Sequence, residues 1–288
     1  MNVSNTTALA ESIGQANEMQ SRSLMRLSSG IAFVSAGDNP AGQADSSAYS
    51  SANGRLMAAS MNIQNALSFT QAADGNMSAI QGILTRMREL ATMAQDPTKT
   101  AQDKGFYQTE FASLQGQLRS TIGGPTSAIG GTADVTSPFG MFNGIVQFGG
   151  GSPQIVSTGT GANDNISIPP INLQQGATAS VISQDSSGNF TLSVTDLTAA
   201  STLGSAIAQV GAAQGQNVGV ETRLQIAANT NQVMAQNLTS AISSISDTDV
   251  AAESTRLSTY KILEQAGMAM LSQANANSAE VYKLLKAS

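Results

Sequence analysis

The sequence contains no histidine, no cysteine and no tryptophan. Without imidazole or thiol groups, Ser-His-Asp and Cys-His nucleophilic catalysis, thiolate or imidazole metal sites and HExxH peptidase chemistry are all excluded. Disulfides are excluded too, and a cysteine-free chain is compatible with an oxidising exterior. Charge is scarce: Asp, Glu, Lys and Arg make up 11% of the 288 residues, under half the usual ~25%. The net charge is −6 with a pI near 4.6, and there is no Lys/Arg run, so the electrostatic footprint of a nucleic-acid binder is missing. No stretch approaches the ~20 consecutive apolar residues of a membrane span. The opening MNVSNTTALAESIGQANEMQ lacks the basic region and apolar block of a cleavable secretory signal, so a chain that leaves the cell is expected to use a route that reads no such signal. The composition points away from an enzyme and calls for no cofactor.

What is present is helical periodicity at the two ends. All seven prolines lie between Pro40 and Pro170, and glycine concentrates in the middle of the chain. From Ile63 onward, Ala66, Thr70, Ala73, Met77, Ile80, Leu84, Met87, Ala91 and Ala94 follow alternating steps of three and four, with Thr70 as the one polar member. That 3.5-residue period keeps an apolar stripe against a partner along a whole helix. The spacing predicts a helix from near Ala41, after the Asp38-Asn39-Pro40 turn, to a stop before Asp96-Pro97, roughly 80 Å at 1.5 Å per residue. The same steps recur at Leu203, Ala206, Val210, Ala213, Asn217, Val220, Leu224, Ala227, Asn231, Met234, Leu238, Ala241 and Ile245. A shorter match runs through Tyr107, Phe111, Leu114, Leu118 and Thr121. Two long antiparallel helices with the shorter one alongside is the economical reading. Asn217 and Asn231 either fix the register of the seam or lie at its solvated edge.

The extremities carry thinner stripes: Leu9, Ile13, Ala16, Leu24, Leu27 and Ile31 at one end, and Leu263, Met270, Ala274, Val281 and Leu284 at the other, with Gly267 and Asn277 as gaps. Short helices with few apolar contacts are marginal alone. Both ends are therefore expected to become ordered only where neighbours supply the missing surface.

The centre reads as short strands. Met141–Val146 predicts a turn into a strand, and period-two alternation predicts strands over Asp164–Ile168 and Ser187–Val194. Gly149-Gly150-Gly151 lacks the strand-loop-helix context and the Lys-Ser/Thr of a phosphate loop. Gly161–Asn165 offers one carboxylate, too few for a calcium cage. Arg86, Arg88 and Glu89 flank the long stripe, as a solvated face or as an intersubunit contact. Fold class is thus mainly α with a small β region: a long antiparallel helical coiled-coil rod formed by the N- and C-terminal segments, with central β-hairpins.

Several motifs share a further property. Leu27-Ser28-Ser29-Gly30 followed by Ser35-Ala36-Gly37-Asp38-Asn39-Pro40-Ala41-Gly42 resembles the bacterial flagellin N-terminal motif. Asn62–Ala66 and Met87–Ala91 resemble that family's long-helix motifs, and Ile245–Thr255 with Ile262–Asn275 resembles its C-terminal signature. The resemblance covers roughly residues 1–122 and 200–288. It departs at Ala32-Phe33-Val34, where the family usually has an Arg-Ile-Asn-like stretch, and in the basic ending Lys283–Ser288. It implies a structural subunit of the extracellular flagellar filament, exported unfolded by the flagellar type III apparatus and polymerised under a cap. A hook–filament junction protein of the same family is the alternative. Implied partners are the chain itself, an export chaperone on the C-terminal helix, and cap and junction proteins, with no nucleic acid and no membrane. The domains expected are 1–42 and 248–288 as two halves of an inner-core helical domain, 43–175 and 198–247 as the rod, and 176–197 as a small insertion or additional hairpin.

On this reading Leu9, Ile13, Leu24, Leu27, Ile31, Leu263, Met270, Ala274, Val281 and Leu284 serve polymerisation. Ile63, Met77, Ile80, Leu84, Met87, Val220, Leu224, Met234, Leu238 and Ile245 form the rod seam. In some flagellins the patch matching Arg86, Leu90 and Glu110 is recognised by an innate immune receptor.

Overall fold

The computed structural model describes residues 2–161 and 163–287. Its elements in chain order are α1 (Asn2–Ser29), α2 (Pro40–Ala94), α3 (Ala101–Ile122), α4 (Thr126–Ile129), the hairpin β1 (Met141–Phe142) and β2 (Ile145–Val146), the hairpin β3 (Gln154–Ser157) and β4 (Asn165–Ile168), α5 (Gly176–Ile182), α6 (Ala199–Ser246) and α7 (Val250–Ala287). The chain is mainly α with two small antiparallel hairpins. Contacts divide it into two units, residues 1–54 with 235–288, and residues 55–234. These divisions fall inside α2 and α6, each of which is one continuous helix.

In the unit of residues 55–234, α2 and α6 run antiparallel. Ile63, Ala66, Thr70, Ala73, Met77, Ile80, Leu84, Met87, Ala91 and Ala94 are all buried, as are Leu203, Ala206, Val210, Val220 and Leu224. Asn217 and Asn231 are buried as well, which resolves their role. Asn217 Nδ2 donates to the Thr70 carbonyl on the facing helix at 2.8 Å. Asn231 Nδ2 donates to the Thr158 carbonyl beyond β3 at 2.7 Å. Each amide finds its partner in one register only, so a slip along the seam would leave buried polar groups unpaired. The seam weakens past Asn231: Met234 is 50% exposed.

α3 packs its Phe111, Leu118 and Ile122 into the same core, joined by Ile129, Phe148, Val181, Ile182, Leu192 and Val194 from the irregular centre. It starts with a capping box, Thr100 accepting from Asp103 N while the Asp103 carboxylate accepts from Thr100 N at 3.0 Å, which satisfies backbone donors the helix leaves open. At its other end Arg119 is buried, 6% exposed. Its guanidinium donates to the carbonyls of Ile129 (2.7 Å), Ile182 (3.1 Å) and Gly130 (2.7 Å). These are the open carbonyl ends of α4 and α5, where a cation also meets the negative pole of the helix dipole.

Met141–Val146 forms a two-residue hairpin, not a turn leading into one strand. Asn143 (φ 48) and Gly144 (φ 79) are both left-handed, which is the backbone a tight hairpin needs and which Asn-Gly supplies at little cost. β4 keeps the alternation predicted for it, with Ile166 and Ile168 buried against Ile63 and Leu224. The strand expected over Ser187–Val194 is absent. The Asp185 carboxylate accepts from Ser187 N (2.8 Å) and Asn189 N (2.9 Å), folding the segment into a turn with one isolated bridge, Gln184 to Phe190. Residues 176–197 are also no appendage: α5 and the turn place Val181, Ile182, Leu192 and Val194 in the core.

Candidate self-assembly surface

The unit formed by residues 1–54 and 235–288 is an antiparallel pair, α1 against α7. The inward positions of α1 are Leu9, Ile13, Ala16, Gln20, Ser23 and Leu27, and those of α7 are Glu253, Leu257, Tyr260, Glu264, Gly267, Leu271 and Ala274, all buried or half-buried. Both sets step by three and four, the spacing of a coiled-coil seam. The middle of this seam is a socket: a Cβ at Gly267 would lie 2.7 Å from Ile13 Cγ1. Gly267 is therefore the place where Ile13 docks and not a gap in a stripe. Farther along, the buried Glu253 carboxylate accepts from Ser23 Oγ at 2.6 Å and meets Arg256 at 3.2 Å and Arg26 at 3.8 Å, so the charge is not left unpaired.

α7 is started by Asp249, whose Oδ1 accepts from Ala251 N (2.9 Å) and Ala252 N (3.1 Å). α1 is stopped at Gly30 (φ 72), whose N–H returns to the Arg26 carbonyl, a left-handed terminator that favours glycine. The segments that follow α1 and precede α7 are stitched together by Ala32 N to Ser246 O (2.7 Å) and Thr248 N to Gly30 O (2.9 Å). Asn39 Oδ1 accepts from Gly42 N at 3.0 Å with Pro40 in the first helical position, a standard start for α2. A Cβ at Gly42 would fall 2.5 Å from the Asn39 amide and 3.1 Å from the Phe33 ring. The linker motif is thus a set of steric and hydrogen-bonding requirements.

Asp38 ties that linker to α1. Its carboxylate accepts from Val34 N (3.0 Å), Ser35 N (3.4 Å) and Ser35 Oγ (3.2 Å), and faces Arg22 at 3.3 Å and Arg26 at 3.6 Å. The Val34 N–H, with Ser35 and Arg22 adding to it, holds the carboxyl below the usual range against some desolvation. A carboxyl so lowered stabilises the fold above its ordinary value, and this contribution is lost as pH falls through its folded value. Asp96, Asp103, Asp134 and Asp185 are lowered likewise by backbone or hydroxyl donors. The expected result is a melting temperature flat from pH 6 to 8, since no side chain ordinarily titrates there, and falling below about pH 4. Circular dichroism melts across that range check it, and a step near pH 6.5 would contradict it.

Of the ten positions expected to serve polymerisation, Leu9, Ile13, Leu27 and Ala274 lie in the α1–α7 seam. Leu24 (47%), Ile31 (45%), Leu263 (54%) and Met270 (64%) are exposed. Val281 and Leu284 have side chains outside the described residues. The exposed four are joined by Met19, Met25, Ile262 and Met268, which sequence periodicity did not single out. Leu257, Tyr260 and Leu271 were missed too; their signal was the three-four spacing counted from Glu253, masked by polar residues and a glycine. In the rod, Leu238 and Ile245 are half-buried. Leu90 departs from any surface role: it is fully buried in the core, because it sits one turn past Met87 on the side that faces α3. Arg86 and Glu110 are exposed and pair with each other, Nε to Oε1 at 2.8 Å and Nη2 to Oε2 at 3.2 Å, while Arg86 Nη1 also reaches Glu89 at 3.2 Å.

Among the described residues no cluster of His, Cys, Asp or Glu has metal-site spacing, and no helix is long and apolar enough to cross a membrane. The bacterial flagellin N-terminal helical region matches residues 2–127, and the bacterial flagellin C-terminal helical region matches residues 200–285. The chain is 28% identical to the flagellin of Bacillus subtilis, over 94% of each chain. It is 29% identical to the flagellin of Listeria monocytogenes, over 90% of this chain and 89% of that one. It is 25% identical to the flagellar filament 31.3 kDa core protein of Treponema maltophilum, over 95% of each. Helical regions matched at both ends, paired as α1 with α7 and α2 with α6, place the chain in the bacterial flagellin family.

Proposed function

We propose that this chain is a structural subunit that polymerises with its own copies into the flagellar filament, the helical propeller of swimming motility, outside the cell. The observation that carries the proposal is the set of large apolar side chains that the α1–α7 pair leaves in water, Leu24, Leu263 and Met270 among them. An apolar surface of this kind is stabilised when covered, and identical neighbours cover it in every copy of a helical polymer. Export through the flagellar type III apparatus, a chaperone on α7, and contacts with cap and junction proteins belong to the same reading. The function is mechanical, and no cofactor enters it.

The test is seeded assembly watched by electron microscopy. A chain carrying Leu24→Glu and Leu263→Glu is expected to keep its helix content and to form no filaments, whereas the unaltered chain elongates seeds on warming. Normal filaments from the double variant would sink the proposal. The junction-protein alternative is separated by stoichiometry: a propeller subunit dominates sheared flagella, and a junction protein is present in a handful of copies.

A further inference from the structure

Within residues 55–234 the two long helices each turn a second face to solvent. On α6, Val218 (50% exposed), Ile226 (60%) and Val233 (55%) share the side opposite Asn217, Val220 and Leu224 of the seam. All 48 residues of α6 include two charged ones, Glu221 and Arg223. A helix side that meets only water ordinarily carries charge. On α2, the exposed side opposite the seam runs through Ser68, Gly75, Ala79 and Gly82. At Gly75 and Gly82, nothing lies within 4 Å of where a Cβ would be.

We propose that these two faces meet between copies, the branched stripe of α6 on one subunit seating against the small-residue face of α2 on the next. This rests on the filament-subunit reading and adds which surfaces make the lateral contact. The occupant is a second copy because both surfaces belong to the same chain, Ile226, Val233 and the α2 face through Ser68, Gly75, Ala79 and Gly82 carry no charge up to Arg86, and their volumes are complementary. Side-chain bulk on one face meets missing side chains on the other, so the helices approach closely and gain dispersion contacts. Two different patches make a heterologous contact, which propagates from subunit to subunit. The bond from Asn217 to the Thr70 carbonyl fixes which levels of α2 and α6 lie side by side in one copy. Ile226 then sits near the level of Met61, and seating it at Ala79 displaces neighbours along the rod by about 27 Å, at 1.5 Å per residue.

The absence of native cysteine makes the contact testable by cross-linking. Filaments of a chain with Ile226→Cys and Ala79→Cys are expected to give a ladder of covalent multimers on oxidation, and filaments of either single variant none. Oxidised double-variant filaments without a ladder overturn the contact and leave the filament reading standing. Unaltered chain that fails to elongate seeds overturns both. Gly82→Leu gives an independent measure: its side chain enters empty space in the isolated molecule, so the melting temperature is expected to hold or rise while seeded elongation slows at least tenfold. Elongation at the unaltered rate would overturn the contact whatever the cysteine variant does.

Discussion

Replacing Arg119 with methionine is expected to destabilise the unit of residues 55–234 by roughly 2–4 kcal/mol, because buried carbonyl oxygens lose a charged donor and are left unsatisfied. Burial lowers the pKa of this guanidinium, yet it stays charged at any ordinary pH. Its partners are carbonyl oxygens of Ile129, Gly130 and Ile182. Methionine fills much of the volume but donates nothing, so all three oxygens lose a donor where water does not reach easily. The ends of α4 and α5 then have no common clamp, and these ends hold Ile129 and Ile182 in the core. Arg119→Lys is expected to recover part of the loss, because one ammonium cannot spread over all three carbonyls as the planar fork does. Thermal melts report the effect as a drop of roughly 10 °C. The exposed Arg223→Met serves as a control expected to stay within about 0.5 kcal/mol. An Arg119→Met chain as stable as that control would show that the clamp contributes nothing.

Gly267→Leu is the second large effect, and it acts on α1 and α7. The new side chain must occupy the space that Ile13 fills, and a β-branched residue has few other rotamers to retreat to. Overpacking of this kind costs about 1–3 kcal/mol. The seam it strains alternates apolar residues such as Leu9, Leu27, Leu257 and Leu271 with small and polar ones such as Ala16, Gln20, Ser23 and Ala274, so the strain falls on a thin apolar contact. Separation of α1 from α7, reduced helix content and failure of seeded assembly are expected together. Leucine is a better helix former than glycine, so α7 taken alone would gain. The diagnostic variant is the pair Ile13→Ala with Gly267→Leu, which transfers the bulk across the seam. It is expected to restore assembly, and a double variant as defective as the single one would contradict the socket.

The contrast between the two helix pairs explains what the sequence revealed. Along α2, a large apolar residue, Ile63, Met77, Ile80, Leu84 or Met87, stands at half of the ten seam positions, and the periodicity read that seam residue by residue. Between α1 and α7 the contact is made by a glycine receiving an isoleucine and by a buried Ser23–Glu253 hydrogen bond. Counting apolar residues there picks out Leu9, Ile13, Leu27 and Ala274 in the seam together with Leu263 and Met270, which flank it and are exposed. The same counting missed α5, whose seven residues are too short for a periodic signal. It also read Ser187–Val194 as a strand, where a single carboxylate, Asp185, folds the backbone into a turn. Leu90 was expected in one patch with Arg86 and Glu110 but does not share their surface. The patch records which positions are expected together, while the burial of Leu90 follows from the core it shares with Phe111 and Leu118 of α3.

The antiparallel arrangement has a consequence for how the chain acquires its shape. Each long helix finds its partner near the opposite end of the polypeptide: Ser23 meets Glu253 across 230 positions, and Thr70 meets Asn217 across 147. Loop closure over such spans must precede the contacts that reward it. α2 therefore lacks its long partner until α6 is present, and α1 until α7 is present. The topology itself delays folding, leaving the amino-terminal helices without their long-range contacts until the distant helices are present.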